Sequence, residues 1–175
     1  MPTHKVFIGT GSNTGDRFCN IREAVDLLAL IHETTVCKVS SMYMTEPIGD
    51  MEQNRFYNGA ILLETSLSPE EIRRQCKSIE QKLGRPDTYA RWSPRVIDLD
   101  ILLYDTVCLT TKDLSIPHPE LHRRKFVLIP LLDLDNPVHP GMRKTVRELL
   151  ECCEDRSVLV KLLEPPGRQK GQTIL

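Results

Sequence analysis

The chain has 175 residues, of which 40% are hydrophobic and 27% charged, so it is long enough for one globular domain with a sizeable core. Its 23 Lys and Arg residues nearly balance 24 Asp and Glu residues, giving a formal net charge of −1. That balance argues against a general attraction to nucleic acid or anionic membranes. No apolar run approaches the roughly 18 residues that span a bilayer, and the first residues lack the apolar stretch of a signal peptide. We therefore expect a cytoplasmic protein, a monomer, with neither membrane nor nucleic-acid partners.

Strand and helix patterns alternate in the first part of the chain. Lys5–Ile8 is an apolar segment typical of a short buried strand. Gly9 and Gly15 are interpreted as parts of a tight strand-to-helix turn. A helix from Asp16 to about Leu30 is predicted next, because apolar residues recur there every three or four positions. Residues 36–45, rich in Val, Ser, Thr and Tyr, predict a single strand.

The same alternation continues in the middle of the chain. Asn58–Thr65 predicts a strand, and Ser68 with Glu71 forms the capping box of a helix that ends at Gly84. The predicted buried face of this helix comprises Ile72, Cys76, Ile79 and Leu83. Residues 96–104 then predict another strand, with Ile97, Leu99, Ile101 and Leu103 pointing into the helices.

The C-terminal part is predicted to extend this core. A short helical turn follows Ile116–Pro119, the apolar run Phe126–Leu132 returns to the core, and Thr145–Cys152 predicts a weaker helix. The order β-α-β-β-α-β indicates an α+β fold of the split β-α-β, ferredoxin-like kind, an antiparallel sheet with two helices on one face and a C-terminal extension. We expect one domain over residues 1–163 and a flexible tail over 164–175.

Two acidic residues share one face of the strand predicted at 96–104. Asp98 and Asp100 alternate with the apolar positions, so both carboxylates project from the face opposite the helices. Two carboxylates that close repel each other unless a cation lies between them. Oxygen ligands without sulfur or imidazole favour Mg²⁺ over zinc, and the six cysteines include no C-x-x-C pair. The pair is either the solvated face of an edge strand or a magnesium site.

Arginine-bearing loops favour the second interpretation. Arg85, Arg91 and Arg95 precede the strand, and Arg123 and Arg124 follow His118. Arginine side chains bind phosphate oxygens two at a time. A carboxylate pair between such loops suits a polyphosphate with its metal ions.

Other polar clusters are less specific. The glycines at 9, 11 and 15 do not have the G-x-G-x-x-G spacing of a dinucleotide site, and the chain lacks a P-loop motif. Ser12 and Asn13 could still line a ligand pocket. Asn58 offers a donor and an acceptor side by side for the edge of a heterocycle. Phe56 and Phe126 either sandwich such a ring or pack in the core.

Four motifs in order make the chain similar to a known family. They read Gly11-Ser-Asn13, Tyr43-x-Thr45-x-Pro47-x-Gly49, Arg91-Trp-x-Pro-Arg95-x-x-Asp98-Leu-Asp100-Ile-Leu-x-Tyr104 and Pro117-His-Pro-x-x-x-x-Arg124-x-Phe126-Val-Leu-x-Pro130-Leu. Over residues 5–135 the chain resembles the 6-hydroxymethyl-7,8-dihydropterin pyrophosphokinases of folate biosynthesis. The resemblance implies a ferredoxin-like fold and transfer of pyrophosphate from ATP to the pterin hydroxymethyl group, with release of AMP.

The resemblance also implies roles for individual residues. The metal ligands for two Mg²⁺ ions would be Asp98 and Asp100, and the catalytic residues would be Arg85, Arg95, Asp98 and Asp100. The ATP-binding residues would be Arg85, Arg91, Trp92, Arg95, Ile101, His118 and Arg124. The pterin-binding residues would be Thr45, Pro47, Ile48, Phe56, Asn58, Asp98 and Phe126.

Three positions depart from the family pattern without removing a metal ligand or a phosphate arginine. Phe56 stands where a tyrosine is expected, Ser93 replaces a glycine, and Lys77 stands where some members carry glutamine. Two alternatives stay open at this point. One is another Mg²⁺-dependent phosphohydrolase, and the other is a ferredoxin-like module that binds a small ligand without catalysis.

Overall fold

A computed structural model describes residues 3–46, 54–86 and 93–162 of the chain. Its helices are α1 (Arg17–Leu28), α2 (Pro69–Lys82), α3 (Lys125–Leu134) and α4 (Val146–Glu151), with a 3₁₀ turn at Leu121–Arg123. Its strands are β1 (His4–Ser12), β2 (Thr34–Val39), β3 (Tyr43–Thr45), β4 (Phe56–Thr65), β5 (Asp98–Tyr104), β6 (Leu109–Thr110), β7 (Ser115–Ile116), β8 (Val138–His139), β9 (Lys144–Thr145) and β10 (Val160–Lys161). The predicted tail over 164–175 lies outside the described residues.

Six strands form one antiparallel sheet in the order β10-β3-β4-β1-β5, and β2 also pairs with β4. The long strand β4 pairs with β1 along one edge. Its other edge is shared, since residues 56–58 pair with β3 and residues 61–65 with β2. The split β-α-β order and the ferredoxin-like α+β class are therefore confirmed. The prediction of one strand over 36–45 is wrong, because residues 40–42 leave the ladder between β2 and β3.

Helices cover both faces of this sheet. The two predicted helices, α1 and α2, pack on one face together with Val6, Ile8, Ile61 and Leu99. The C-terminal extension supplies α3 and α4, which pack on part of the other face against Phe7, Ala60, Leu62 and Leu103. The apolar run Phe126–Leu132 thus returns to the core as a helix. Among the described residues, no helix combines the length and apolar character needed to cross a membrane.

The sequence of α2 accounts for both of its ends. The Ser68 hydroxyl accepts the N–H of Glu71, and the Glu71 carboxylate accepts the N–H of Ser68, as the capping-box prediction requires. At the other end Gly84 has a φ of +96°, a conformation that ends a helix at little cost for glycine alone. The predicted start and end of this helix are confirmed.

Strand β5 contains an irregularity that the alternation pattern does not anticipate. Ile8 pairs with Ile101, yet the preceding residue Phe7 pairs with Leu103, so Leu102 is an extra residue in the ladder. Beyond this β-bulge the side chains change face, and Leu103 packs with α3 and α4. The prediction that Leu103 points toward α1 and α2 is therefore wrong, whereas it is right for Ile97, Leu99 and Ile101.

The C-terminal end of α3 is tied to the strands beside it. The Asp133 carboxylate accepts hydrogen bonds from the Tyr43 hydroxyl at 2.9 Å and from the Ser41 N–H at 3.0 Å. The Lys38 ammonium donates to the Leu134 carbonyl at 2.9 Å. These contacts fix the position of α3 over the sheet.

Candidate active site

Helices α3 and α4 leave part of their face of the sheet uncovered, and glycines of β1 form the surface there, called the glycine floor below. Across β1 and β5, Gly9 lies opposite Asp100 and Gly11 lies opposite Asp98. Opposite residues of an antiparallel pair project to the same face, so both carboxylates stand beside backbone that carries no side chain. The sheet thus leaves space next to the two aspartates.

The glycines of β1 have a different role from the one that the sequence suggested. Gly9 lies inside the strand and not in a turn, which corrects that interpretation, whereas Gly15, with a φ of +66°, lies in the turn before α1. A Cβ at Gly11 would approach the Asn58 side-chain oxygen to 3.1 Å. Gly11 therefore gives Asn58 the room to face the space above the sheet.

Asp98 lies between two arginines. One Asp98 oxygen contacts Arg85 Nη1 and the other contacts Arg95 Nη1, each at 2.5 Å. The Asp98 side chain is 15% exposed, that of Arg85 6% and that of Arg95 27%. Burial alone would raise the pKa of Asp98, but the charges of Arg95 and Arg85 outweigh it and keep this pKa below its ordinary value. Asp98 is therefore ionised over the physiological pH range.

Asp100 has the opposite electrostatic environment. Burial, followed by the negative charge of Asp98, raises the pKa of Asp100 above its ordinary value. A cation beside the pair would stabilise both charges at once. Among the described residues no group of three or more His, Cys, Asp or Glu side chains could hold a metal ion, so a cation here needs further ligands from water or substrate, as Mg²⁺ commonly takes them.

The structure adds one buried carboxylate that the sequence analysis missed. Glu80 of α2 is 3% exposed at its side chain, and it contacts Lys77 Nζ at 2.9 Å and Arg85 Nη1 at 3.0 Å. It also accepts the Leu99 N–H at 2.7 Å. Burial raises the pKa of Glu80, and the charge of Lys77 counters it in part. One signal could have found it, because Glu80 follows Cys76 by four residues and so shares the predicted buried face.

Asn13, which follows β1, forms hydrogen bonds with the backbone of Arg95. Its side-chain oxygen accepts the Arg95 N–H at 2.6 Å, and its own N–H donates to the Arg95 carbonyl at 3.0 Å. Ser12 and Asn13 are both buried, and neither lines the cavities described below. The suggestion that they line a ligand pocket is therefore wrong for those cavities, and Asn13 instead fixes the backbone of an arginine that contacts Asp98.

A cavity of about 280 Å³ opens above the glycine floor. The predicted residues that line it are Thr45, Phe56, Asn58, Arg95, Asp98, Asp100, His118, Arg124 and Phe126. At its inner wall Asn58 Nδ2 donates to the Thr45 hydroxyl at 2.7 Å. With two half-buried phenylalanines and a buried amide, this cavity suits a flat, polar-edged ring.

A second cavity, of about 340 Å³, adjoins the first. It is lined by α2, by β5 and by the hairpin of β6 and β7, and it includes the predicted residue Ile101 together with Lys77. Asp100 and His118 line both cavities. Asp100 therefore stands where the two cavities meet, whereas Asp98 lines the first cavity alone.

His118 lines both cavities and Arg124 lines the first, and both residues belong to the segment after β7. The Nδ1 atom of His118 accepts the Glu120 N–H at 3.2 Å, so the neutral ring carries its proton on Nε2, where it can donate. Arg124, the residue before α3, contacts the Glu120 carboxylate at 3.2 Å. Arg85 lines neither cavity and lies behind Asp98. Four predicted site residues, Pro47, Ile48, Arg91 and Trp92, lie outside the described residues.

Residues 7–136 match the family described as 7,8-dihydro-6-hydroxymethylpterin-pyrophosphokinase (HPPK). The chain belongs to this family. The expectation of an ATP-dependent pyrophosphokinase that acts on a hydroxymethylpterin is confirmed with it.

Curated relatives agree with the family. The chain is 44% identical over 128 residues to the 2-amino-4-hydroxy-6-hydroxymethyldihydropteridine pyrophosphokinase of Bacillus subtilis, which covers 73% of this chain and 76% of that protein. It is 39% identical over 144 residues to the protein of the same name from Aquifex aeolicus, covering 82% and 88% of the two chains.

Among solved structures, the fold is similar to Plasmodium falciparum HPPK-DHPS in complex with pteroate. The TM-score is 0.69 at 15% identity, and the match covers 86% of this chain but 42% of that one. The chain thus spans less than half of this longer relative. At this identity the likeness supports the fold alone.

Proposed function

We propose that the two joined cavities are the substrate sites of pyrophosphoryl transfer from ATP to 6-hydroxymethyl-7,8-dihydropterin, with Asp98 and Asp100 at the reacting phosphates. One observation carries this proposal: Asp100 lines both a cavity suited to a flat ring and an adjoining second cavity, and Asp98 lies beside it in the first. A transfer between two substrates needs such a junction, because the reacting atoms must meet in line.

The residues at the junction fit Mg²⁺. Both ligands are carboxylates, and burial together with the charge of Asp98 raises the pKa of Asp100, so an added cation would stabilise the charged form of Asp100. We propose that Asp98 and Asp100 hold two Mg²⁺ ions together with substrate phosphate oxygens and water. Bound Mg²⁺ would neutralise negative charge that develops on the transferred group.

The chain's own residues would orient the reaction. In this proposal Thr45, Asn58, Phe56 and Phe126 hold the pterin, with Asn58 at its polar edge and the phenylalanines on its faces. Arg95, Arg124 and the Nε2–H of His118 donate hydrogen bonds to phosphate oxygens, so these side chains stabilise that charge as fixed donors. Arg85 acts from behind Asp98 through its charge, and Ile101 lines the nucleotide side.

Pro47, Ile48, Arg91 and Trp92 are proposed to complete the site on the strength of the sequence motifs alone. We further propose that the protein works as a cytoplasmic monomer without a nucleic-acid partner, and the formal net charge of −1 supports the last of these points. Size-exclusion chromatography with light scattering tests the monomer, and a mass of twice 20.0 kDa would contradict it.

The decisive assay incubates the full chain with ATP, Mg²⁺ and 6-hydroxymethyl-7,8-dihydropterin and separates the products. We expect AMP and the pterin diphosphate ester in equal amounts, and no AMP without the pterin. AMP formed without pterin would instead identify a phosphohydrolase. Binding of both ligands without turnover would identify a non-catalytic module.

The aspartate pair gives the first mutational prediction. Asp98→Asn and Asp100→Asn keep side-chain size but remove the charges, so each is expected to lower kcat about 10³-fold, because metal ions stabilise such a transition state by several kcal/mol. The matched control is Asp26→Asn at an exposed position of α1, which should leave turnover unchanged. Near-normal activity in both site variants would refute the assignment.

A further inference from the structure

We propose that Glu80 is a positioning residue for the metal and phosphate site, which rests on the function proposed above. Its buried carboxylate has three partners that bear on that site: the Leu99 N–H at 2.7 Å, Arg85 Nη1 at 3.0 Å and Lys77 Nζ at 2.9 Å. The first fixes the strand that carries the aspartates, and the second fixes the arginine behind one of them.

The contact with Leu99 acts on the spacing of the aspartates. Leu99 is the residue between Asp98 and Asp100, and β5 is an edge strand of the described sheet. On that edge the Leu99 N–H has Glu80 as its acceptor where an inner strand would have a neighbouring carbonyl. Glu80 therefore holds the backbone from which both carboxylates project.

The contact with Arg85 acts on the charge of Asp98. A single nitrogen, Arg85 Nη1, lies 3.0 Å from Glu80 Oε1 and 2.5 Å from Asp98 Oδ1. One guanidinium edge thus serves two carboxylates. Without the charge of Glu80, Arg85 would attract Asp98 more strongly, and Asp98 would be less available to a divalent cation.

Glu80→Gln separates these two effects. Glutamine keeps an oxygen that accepts the Leu99 N–H but loses the charge that Arg85 shares. The probe is Mn²⁺ with a non-hydrolysable ATP analogue, and binding is measured by calorimetry on the full chain. We expect binding to weaken about 10- to 100-fold, the usual effect of removing a group that orients metal ligands, while KM for the pterin stays within about threefold.

The control is Glu71→Gln on the same helix. It removes the carboxylate of the capping box at Ser68 and so lowers stability, yet it contacts none of the site residues described here. Urea unfolding of both variants identifies conditions in which each is fully folded. If Glu80→Gln binds the probe as tightly as Glu71→Gln under those conditions, Glu80 is a structural residue only and the inference fails.

A second variant, Glu80→Ala, removes the acceptor as well as the charge. We expect the Leu99 amide to exchange its hydrogen faster in Glu80→Ala than in Glu80→Gln, as followed by NMR, because only the first variant leaves that N–H without its acceptor. Equal exchange in the two variants and in the unmodified protein would overturn the part of the inference that concerns β5. This readout needs neither metal nor substrate.

The double variant Glu80→Gln with Arg85→Lys tests the route through Arg85. If Glu80 acts through that arginine, the double variant loses no more probe affinity than Arg85→Lys alone. Losses that multiply would show that Glu80 acts independently of Arg85 and would overturn that part of the inference.

Different results would refute the proposed function and the positioning role of Glu80. A protein that binds the probe in a Glu80-dependent manner but forms no pterin diphosphate would remove the proposed function and leave the role of Glu80 intact. If the Glu80→Gln variant forms the product at the normal rate, the role of Glu80 is refuted and the proposed function is kept. An unmodified chain that does not bind the probe would overturn both.

Discussion

At the scale of single residues, Gly11 shows that an absent side chain can shape a site. A Cβ at this position would lie only 3.1 Å from the Asn58 side-chain oxygen, which is closer than an ordinary van der Waals contact. We expect Gly11→Ala to displace Asn58 and weaken one hydrogen bond to the ring, which costs about 0.5–1.5 kcal/mol. KM for the pterin should then rise about two- to tenfold, whereas KM for ATP should not change.

Gly141→Ala is the matched control for that variant. A Cβ at Gly141 would make only ordinary contact with His139, at 3.5 Å, and Gly141 lines neither cavity. Steady-state kinetics with each substrate varied in turn measure the effect. A selective rise of KM for ATP in Gly11→Ala would show that Gly11 borders the nucleotide instead.

Some of the site could be predicted from single residues and some could not. The shared face of Asp98 and Asp100 could be predicted from their strict alternation with Ile97, Leu99 and Ile101, because side chains along a strand alternate with a period of two. Glu80 does not follow so readily, since a glutamate on a helix is usually solvated. Its burial depends on Arg85, which lies beyond the end of α2, and on the edge of β5, which is distant in sequence.

At the scale of elements, the local signals in the chain predict ends better than pairings. The capping box of α2 is readable because it depends on residues three apart, Ser68 and Glu71. The bulge at Leu102 is not readable, because it depends on the register of β5 against β1. The same holds for the break between β2 and β3, which depends on how β4 is shared between two partners.

The capping box leads to a prediction for α2. Ser68→Ala removes the acceptor for the Glu71 N–H, so the free energy of unfolding should fall by about 1 kcal/mol and Tm by about 2–4 °C. Turnover at 25 °C should not change, because Ser68 lies at the end of α2 away from Glu80. Urea unfolding and thermal melts measure the stability.

The comparison for Ser68→Ala is Thr145→Ala, which opens the same capping box at the start of α4. The shorter helix α4 should lose a similar free energy of unfolding. A marked loss of kcat in Ser68→Ala but not in Thr145→Ala would mean that the position of α2 is coupled to the site more tightly than proposed.

At the scale of the whole molecule, stability should depend on pH through His139. Burial, followed by the nearby His122, lowers the pKa of His139 in the folded chain. As pH falls below about 6.5, the unfolded chain takes up this proton before the folded chain does, so the free energy of unfolding falls with pH. Above that range His139 is neutral in both states and makes no such contribution.

Urea unfolding at pH 7.5 and at pH 5.5 tests this dependence. His139→Gln should lose less stability between the two values than the unmodified protein does. His32→Gln, at an exposed side chain, is the control and should behave like the unmodified protein. An unchanged pH dependence in His139→Gln would assign the effect to other groups.

Helix α3 closes the ring cavity with its first turn, where Phe126 and Val127 lie, but it is fastened to the sheet by its last turn at Asp133 and Leu134. A helix of ten residues spans about 15 Å, so these hydrogen bonds lie about one helix length from the residues that line the ring cavity. Tyr43→Phe removes one of these hydrogen bonds without altering a residue that lines the cavity. We therefore expect it to weaken binding of the pterin ring from a distance. By the same coupling, a compound that binds in the ring cavity would stabilise the packing of α3 and α4 on the sheet.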